Sequence, residues 1–161
     1  MTASTKIKHF TDGSLLGTDG AAHSMTIPLG QGDIKIDGLS ADQVDIKAYQ
    51  VRGILTSLRK GEQTFPTVSF SAALADLSSA ADDTACDFLL KRNKYSGNTS
   101  TSASLGDVYT VDLTFTIEAT ALDGADHTVA MTDVHIEAAI AEGEPNTLSF
   151  QGTIYGTVTF T

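Results

Sequence analysis

The chain has 161 residues and a formal net charge of −10 at pH 7, with 41% hydrophobic and 19% charged residues. This length suits one domain with a sizeable core, and the composition is that of a folded protein rather than a disordered one. A single cysteine excludes an intramolecular disulfide framework, and no apolar run resembles a secretion signal or a membrane span. We therefore expect one soluble domain, residues 1–161, made in a cytoplasm.

The charges are unevenly distributed along the chain. Residues 1–94 contain all 10 Lys and Arg and 11 Asp and Glu, whereas residues 95–161 contain 9 Asp and Glu and no Lys or Arg. Nucleic-acid-binding proteins concentrate cations on one surface, so the acidic second half is expected to repel phosphate. This distribution of charge argues against a DNA-binding protein, although DNA could still pass beside the protein.

The first half of the chain predicts short strands at 24–29, 32–38, 45–58 and 65–74, with Asp-Gly pairs as turns. The polar segment 58–65 is predicted to be an excursion between two of these strands, with Gly61 at its tip.

One helix is predicted at about residues 83–93. Thr84 is a candidate N-cap with Asp87 three positions later, and Asp82 and Asp83 suit the positive end of the helix dipole. Ala85, Phe88 and Leu89 form a narrow apolar stripe. The Ser-, Thr- and Gly-rich segment 96–106 follows, and we expect it to be a flexible loop because it has no apolar anchor before Leu105.

Strict alternation predicts two long strands at 108–119 and 131–140, each with one apolar face and one polar face. Asp123-Gly124 between them is a hairpin turn signal, so the two strands should be antiparallel neighbours. The last segment, 146–161, has no charged side chain, and Gly152 and Gly156 in its apolar phase predict a bend, a bulge or a close backbone approach. A strand edge with unpaired N–H and C=O groups tends to pair with another chain. We therefore expect this segment to complete its pairing with another copy.

No motif in the sequence predicts catalysis. His127 and His135 are interpreted as polar face residues rather than metal ligands. Cys86 is expected to be a small buried residue, since the acidic side chains around it oppose thiolate formation. No nucleophile elbow, phosphate-binding loop or zinc motif occurs. We predict a protein without catalytic residues, cofactors or metal ions.

The order of segments GDIKIDGL, VRGILTSLRKGE, FPTVSFSAAL, VYTVDLTFTI and DVHIEAAIAEGEPNTLSFQGTIYGTVT resembles the tail tube (major tail) proteins of long-tailed bacteriophages, from about residue 24 to the C-terminus. The resemblance implies a mainly β fold, an antiparallel β-sandwich or half-barrel with one flanking helix, which the type VI secretion tube protein shares. It also implies hexameric rings stacked into a tail tube in the virion, assembled in the bacterial host cytoplasm. Its partners would be other copies, the tape measure, tail tip and terminator proteins, and DNA that passes through without specific binding; no membrane is implied.

Two sets of residues follow as expectations for such a tube. The first is a polar lumen face that would repel passing phosphate, and its expected residues are Asp112, Thr114, Thr116, Glu118, Asp133 and Glu137. The second is a set of inter-ring contacts, expected from Arg59, Lys60 and Glu62 at a loop tip, with the loop 96–106 as a second candidate. The alternatives are a capsid decoration or head–tail joining protein, a carbohydrate- or receptor-binding β-sandwich, for which aromatic platforms are scarce, and a small hydrolase.

Overall fold

A computed structural model describes residues 13–29, 34–73, 84–102, 107–118, 125–142 and 147–161. Within these ranges the chain forms ten strands and one short α-helix. They are β1 (Gly13–Thr18), β2 (Ser24–Ile27), β3 (Lys35–Asp37), β4 (Val44–Val51), β5 (Ile54–Gln63), β6 (Thr67–Ala73), α1 (Ala85–Leu89), β7 (Val111–Ile117), β8 (His127–Ala141), β9 (Thr147–Ile154) and β10 (Val158–Phe160).

Eight strands form one antiparallel sheet in the order β2-β1-β7-β8-β9-β6-β3, with β10 also paired to β8. Strands β4 and β5 form a separate two-stranded hairpin. The prediction of a mainly β fold with a flanking helix is confirmed. The antiparallel pairing of β7 with β8 is confirmed as well, whereas the predicted Asp123-Gly124 turn lies outside the described residues.

The core lies on one face of the eight-stranded sheet. The alternation in β7 buries Val111, Leu113, Phe115 and Ile117 and leaves the residues between them half-buried. The other strands contribute residues to the same cluster, in which Phe70 and Phe150 stack with ring centroids 5.0 Å apart. Phe88 and Leu89 of α1 are buried in this cluster, so the helix covers the part of the apolar face next to β2.

Helix α1 is shorter than predicted. Thr84 caps it as expected, because its side chain accepts a hydrogen bond from the Asp87 backbone N–H at 3.2 Å. The Asp87 carboxylate does not complete a capping box; both of its oxygens accept from Asn93 Nδ2 at 3.0 Å. The helix ends at Leu89, and Lys91 and Asn93 adopt positive φ angles that no α-helix continues through. Asp82 and Asp83 lie outside the described residues.

The expectation that the uncharged C-terminal segment completes its pairing with another copy was wrong for the part that forms β9. Strand β9 pairs with β8 on one side and with β6 on the other, so its backbone is satisfied within the chain. The predicted bulge with a close backbone approach is confirmed at Gly156, whereas at Gly152 it is neighbouring side chains that leave no room for a Cβ. A Cβ on Gly152 would lie 2.7 Å from Val134 Cγ1, and one on Gly156 would lie 2.2 Å from Thr132 Oγ1, where the chain bulges between β9 and β10.

Candidate assembly surfaces

The outer face of the sheet collects most of the residues expected to line a lumen. Asp112, Thr114 and Thr116 alternate with the buried residues of β7 and therefore point away from the core. Glu118 is exposed just beyond the end of β7, and Glu137 is exposed on β8 opposite Gln151 of β9. The structure thus brings these side chains onto one polar face, while their role in a lumen stays a prediction.

Asp133 lies on this side of the sheet but at an irregular position. Its φ angle is +53°, and two residues of β8 face Asp112 of β7, which defines a bulge. The Asp133 N–H donates to Asp112 Oδ1 at 3.0 Å, and its own carboxylate accepts from Thr101 Oγ1 at 3.0 Å. The bulge shifts the alternation of β8, so Met131 and Val134 are both buried. The sequence pattern from 131 to 140 did not reveal this shift.

The outer face also carries many hydroxyl groups, most of which the predicted lumen set does not include. Cross-strand pairing places hydroxyl residues from five neighbouring strands and from β10 on the side of Thr114. The signal was present in the sequence as Ser or Thr at alternate positions of these strands. The residues are Ser14, Thr18, Thr67, Ser69, Ser71, Thr114, Thr116, Thr128, Ser149, Thr153 and Thr159.

Strand β10 has one open edge among the described residues. Thr161 and Thr128 exchange two backbone hydrogen bonds, of 2.8 and 3.0 Å. Because alternate residues of an antiparallel strand direct their N–H and C=O groups to opposite sides, the backbone groups of Val158 and Phe160 point away from β8. No described strand pairs with that side of β10.

The C-terminal half of β8 has a second open edge, on its opposite side. The Ile154 N–H donates to the Pro66 carbonyl at 2.9 Å, so Ile154 does not exchange hydrogen bonds with Val134, which lies opposite it. By alternation, the backbone groups of Ile136, Ala138 and Ile140 point toward the β7 side. The pairing of β7 with β8 ends at Val134, and no other described strand continues it.

The hairpin β4–β5 corrects the expectation for the inter-ring residues. Arg59, Lys60 and Glu62 are not at a loop tip, because β5 runs without interruption from Ile54 to Gln63. The tip is formed by Arg52 and Gly53, both with positive φ angles, as a tight two-residue hairpin requires. The signal was the Arg-Gly pair inside the segment interpreted as one strand.

Two cations of the hairpin, Lys60 and Arg59, have intrachain partners. Lys60 Nζ lies 2.5 Å from Asp42 Oδ1, with both side chains at least half exposed. The Arg59 guanidinium lies over the Tyr49 ring at 5.8 Å from its centroid. Whether these residues contact a neighbouring ring is untested and stays a prediction.

Large apolar side chains are exposed on the hairpin, on both of its faces. Apart from partly buried Val44, its large apolar residues are all exposed: Ile46, Tyr49, Val51, Ile54, Leu55 and Leu58. At the base of the hairpin lies a groove of about 460 Å³, whose walls include Leu39, Phe65 and Phe160. Exposed apolar surface of this extent is typical of a protein–protein contact.

The segment 96–102 is held by hydrogen bonds that its composition did not predict. The buried Asp19 carboxylate accepts from the Thr99 N–H at 3.1 Å and also from Ala21 and His23. Burial alone raises the pKa of Asp19, but the hydrogen bonds from His23, Thr99 and Ala21 outweigh it and hold the pKa below its usual value. Residues 103–106 lie outside the described residues, and flexibility of the loop stays a prediction.

Two of the residues considered for chemistry, Cys86 and His135, have defined surroundings in the structure. Cys86 is buried as expected; burial, followed by the charge of Asp87, raises the pKa of its thiol. The Nδ1 atom of His135 lies 3.0 Å from the Tyr109 carbonyl oxygen. In the described part of the chain, no three His, Cys, Asp or Glu side chains form a group that could hold a metal ion. No helix there is long and apolar enough to cross a membrane.

No family model and no curated protein matches this chain, but solved structures do. A chain from the sheath/tube terminator of the PVC extracellular contractile injection system in its extended state matches with a TM-score of 0.54 at 10% identity, over 99% of both chains. A chain from the PVC sheath–tube complex in the extended state gives 0.52 at 11% identity, also over 99% of both. A chain from the anti-feeding prophage cap, which terminates the AFP tube, gives 0.53 at 11% identity, over 100% of this chain and 94% of that one.

Identities this low establish the fold and nothing finer. The chain is similar over its whole length to components of phage-tail-like injection systems. It therefore has a fold that occurs in the tube-related parts of such particles.

Proposed function

We propose that this chain is a structural, non-catalytic subunit that assembles into hexameric rings, stacked as the tube of a phage tail or a phage-tail-like particle. One observation supports this most directly: β10 and β8 leave open edges on opposite sides of the same sheet. Two different edges that can pair with each other give head-to-tail association, which closes into a ring when the rotation between copies permits. Ring closure leaves no edge exposed.

The side chains at the two edges support pairing between copies. Ile140 at the β8 edge is 61% exposed and Phe160 at the β10 edge is 63% exposed. When the β8 edge of one copy adds to the β10 edge of the next, both apolar side chains leave water on the apolar side of the sheet. A long, uncovered edge with apolar side chains is otherwise an aggregation hazard, so a specific partner accounts for it.

The outer polar face would line the channel of the ring. Its hydroxyl groups and the carboxylates of Asp112, Glu118 and Glu137 offer no cation to phosphate, whereas phosphate contacts through Lys and Arg are what hold DNA to a protein. Lys35 lies on this face opposite Ser69, but its ammonium is paired with Asp37 at 2.7 Å. DNA would therefore pass without binding. The partners would be identical copies and the tape measure, tip and terminator proteins of the tail, all assembled in the host cytoplasm.

The β10 edge provides the experiment. Val158→Pro keeps the hydrogen bonds from the neighbouring residues to β8 but removes an N–H that points outward, toward the next copy. We expect the wild-type protein to form rings and tubes by negative-stain microscopy and ultracentrifugation, and the Val158→Pro variant to remain a folded monomer. Val158→Ala is the matched control for the lost side chain and should still assemble. A monomeric wild-type protein at high concentration, or normal rings from Val158→Pro, would contradict the proposal.

The channel assignment has its own test. In assembled tubes, a cysteine at Thr114→Cys should be protected from a bulky polyethylene-glycol maleimide, whereas one at Arg92→Cys, beyond the helix, should react. Native Cys86 is buried and gives the background. Equal labelling at the two positions would place the polar face outside the tube.

A tube-terminating cap is the second candidate function, because two of the similar structures are described as a terminator or a cap. A cap would form single rings that end a tube, whereas a tube subunit stacks repeatedly. The length distribution of assemblies of the pure protein separates the two.

A further inference from the structure

The groove at the base of the hairpin lies along the open edge of β10. Val158 and Phe160, whose backbone groups point away from β8, line this groove together with Leu39, Gln43 and Phe65. The side chains of Leu39, Phe65 and Phe160 are 45%, 40% and 63% exposed in the single chain. A strand that pairs with the open edge of β10 therefore lies beside apolar side chains that nothing in the described part of the chain covers.

One polar atom of the groove has no partner. The side-chain oxygen Oε1 of Gln43 is buried and accepts no hydrogen bond within the described residues, whereas its Nε2 donates to the Ser40 carbonyl at 3.1 Å. A buried acceptor without a donor is costly. The groove therefore fits an apolar side chain that is accompanied by a backbone N–H group.

The end of the open β8 edge offers both of these groups. The side chain of Ile140 is 61% exposed, and its backbone groups point to the open side of the strand. Glu142 lies two residues further along the chain, so by the same alternation its N–H points to that side as well.

The direction in which the two edges meet follows from the symmetry of a ring. Rotation about the ring axis keeps the β8 strands of neighbouring copies alike in direction, and β10 runs antiparallel to β8 within one chain. The β10 strand of one copy therefore meets the β8 edge of the next copy in antiparallel orientation.

Only residues whose backbone groups point outward can exchange hydrogen bonds between the two edges. Pairing Val158 with Ile140 and Phe160 with Ala138 uses both outward residues of β10. A shift by two residues would pair Phe160 with Ile136 instead. That shift would bring the end of β10 against Tyr109, whose carbonyl oxygen already lies 3.0 Å from the Nδ1 atom of His135.

We propose that Ile140 of one copy fills the groove of the next copy in the same ring, and that this contact fixes the register in which the two edges pair. In this register Glu142 lies opposite Gly156, whose N–H is directed to the Thr132 carbonyl of its own chain at 3.2 Å. The Glu142 N–H is thus left to donate to Gln43 Oε1. The inference rests on the proposed ring and specifies the residue that determines its register.

Two substitutions at adjacent positions test the role of Ile140. Ile140→Asp places a carboxylate in an apolar groove and should raise the protein concentration needed for ring formation at least about tenfold, as measured by ultracentrifugation. Ala139→Asp adds the same charge on the polar face of β8 and should form rings as the wild type does. Both positions are exposed in the single chain, so both variants should keep the wild-type circular dichroism spectrum. Rings from Ile140→Asp at the wild-type concentration, or an equal loss in both variants, overturn the inference.

Disulfide cross-linking tests the register. Within one chain Val158 lies opposite Met131, nine residues and roughly 30 Å along β8 from Ile140, so cysteine side chains at positions 140 and 158 can join only across copies. Oxidised rings of the Ile140→Cys/Val158→Cys variant should give a ladder of linked chains on a denaturing gel. The Ala138→Cys/Val158→Cys variant is two residues out of register and should give little.

The outcomes of the cross-linking separate the inference from the proposed function. A ladder that is no stronger from Ile140→Cys/Val158→Cys than from Ala138→Cys/Val158→Cys overturns the register and leaves the ring proposal standing. A wild-type protein that forms no rings overturns both.

Discussion

The eight-stranded sheet and the β4–β5 hairpin are built from similar residues but differ in what covers them. In the sheet, the apolar residues of β7 are at most 7% exposed, whereas the large apolar residues of the hairpin, Val44 apart, are all exposed. The sheet buries its apolar residues in the core cluster, to which α1 contributes, and the hairpin residues belong to no such cluster among the described residues. The sheet is thus stabilised within the chain, whereas the hairpin presents apolar surface suited to a partner.

The largest expected difference between the two regions concerns truncation of an apolar side chain. Phe150→Ala removes a ring that stacks on Phe70 in the core, and it should lower the free energy of unfolding by about 3–5 kcal/mol. Leu58→Ala on the hairpin should change it by less than about 0.5 kcal/mol, because Leu58 is already exposed in the single chain. Urea denaturation of the unassembled protein measures both. A large loss from Leu58→Ala would mean that the hairpin belongs to the core.

The sequence predicted the sheet better than the hairpin, for physical reasons. The alternation of Val111, Leu113 and Phe115 is a local pattern that predicts a strand. It is strict because only one face of this strand is buried. The hairpin has apolar residues on both faces, so its alternation is weak and the turn at Arg52 was missed.

The pairing of strands that are far apart in the chain could not be predicted from the sequence either. The segment 146–161 was correctly predicted to be strand, but its place between β6 and β8 depends on contacts with residues about 80 positions earlier in the chain, such as Phe70 with Phe150. The outer-face residues, including Thr114 and Glu137, followed from the same alternation and were placed on one face correctly. Which edges remain open could not be predicted, because that depends on the order of the strands in the sheet.

A smaller difference is expected between two carboxylates. Asp19 is buried and accepts hydrogen bonds from three residues, so Asp19→Ala should cost about 2–3 kcal/mol and release the 99–101 segment. Asp42 at the hairpin base forms an exposed pair with Lys60, and Asp42→Ala should cost less than about 1 kcal/mol. Thermal or urea unfolding of the two variants compares them, and equal losses would contradict the distinction between the regions.

The Asp19 carboxylate also predicts a pH dependence. Its pKa in the folded protein is held below the usual value of about 3.9. The unfolded state therefore binds a proton first as the pH falls, and the stability that this carboxylate contributes, complete above about pH 5, is lost as the pH falls through the folded pKa. Between pH 5 and pH 2, the free energy of unfolding of the wild-type protein should fall further than that of Asp19→Ala. The difference should equal roughly the free energy that this one carboxylate contributes through its lowered pKa. Parallel curves for the two proteins would contradict the assignment.

The smallest expected difference concerns two glycines that are needed for opposite reasons. A Cβ on Gly152 would lie 2.7 Å from Val134 Cγ1 and 3.0 Å from Val68 Cγ1, so Gly152→Ala overpacks the sheet and should cost about 1–3 kcal/mol of global stability. A Cβ on Gly53 would meet nothing within 4 Å, and only its φ of +78° opposes Ala, at about 1 kcal/mol. Because the hairpin packs apart from the core, that second cost should appear as faster hydrogen exchange in β4 and β5 with global unfolding unchanged. If Gly53→Ala instead lowers the global free energy of unfolding, the two regions unfold together, and the hairpin is part of the cooperative unit before any partner binds.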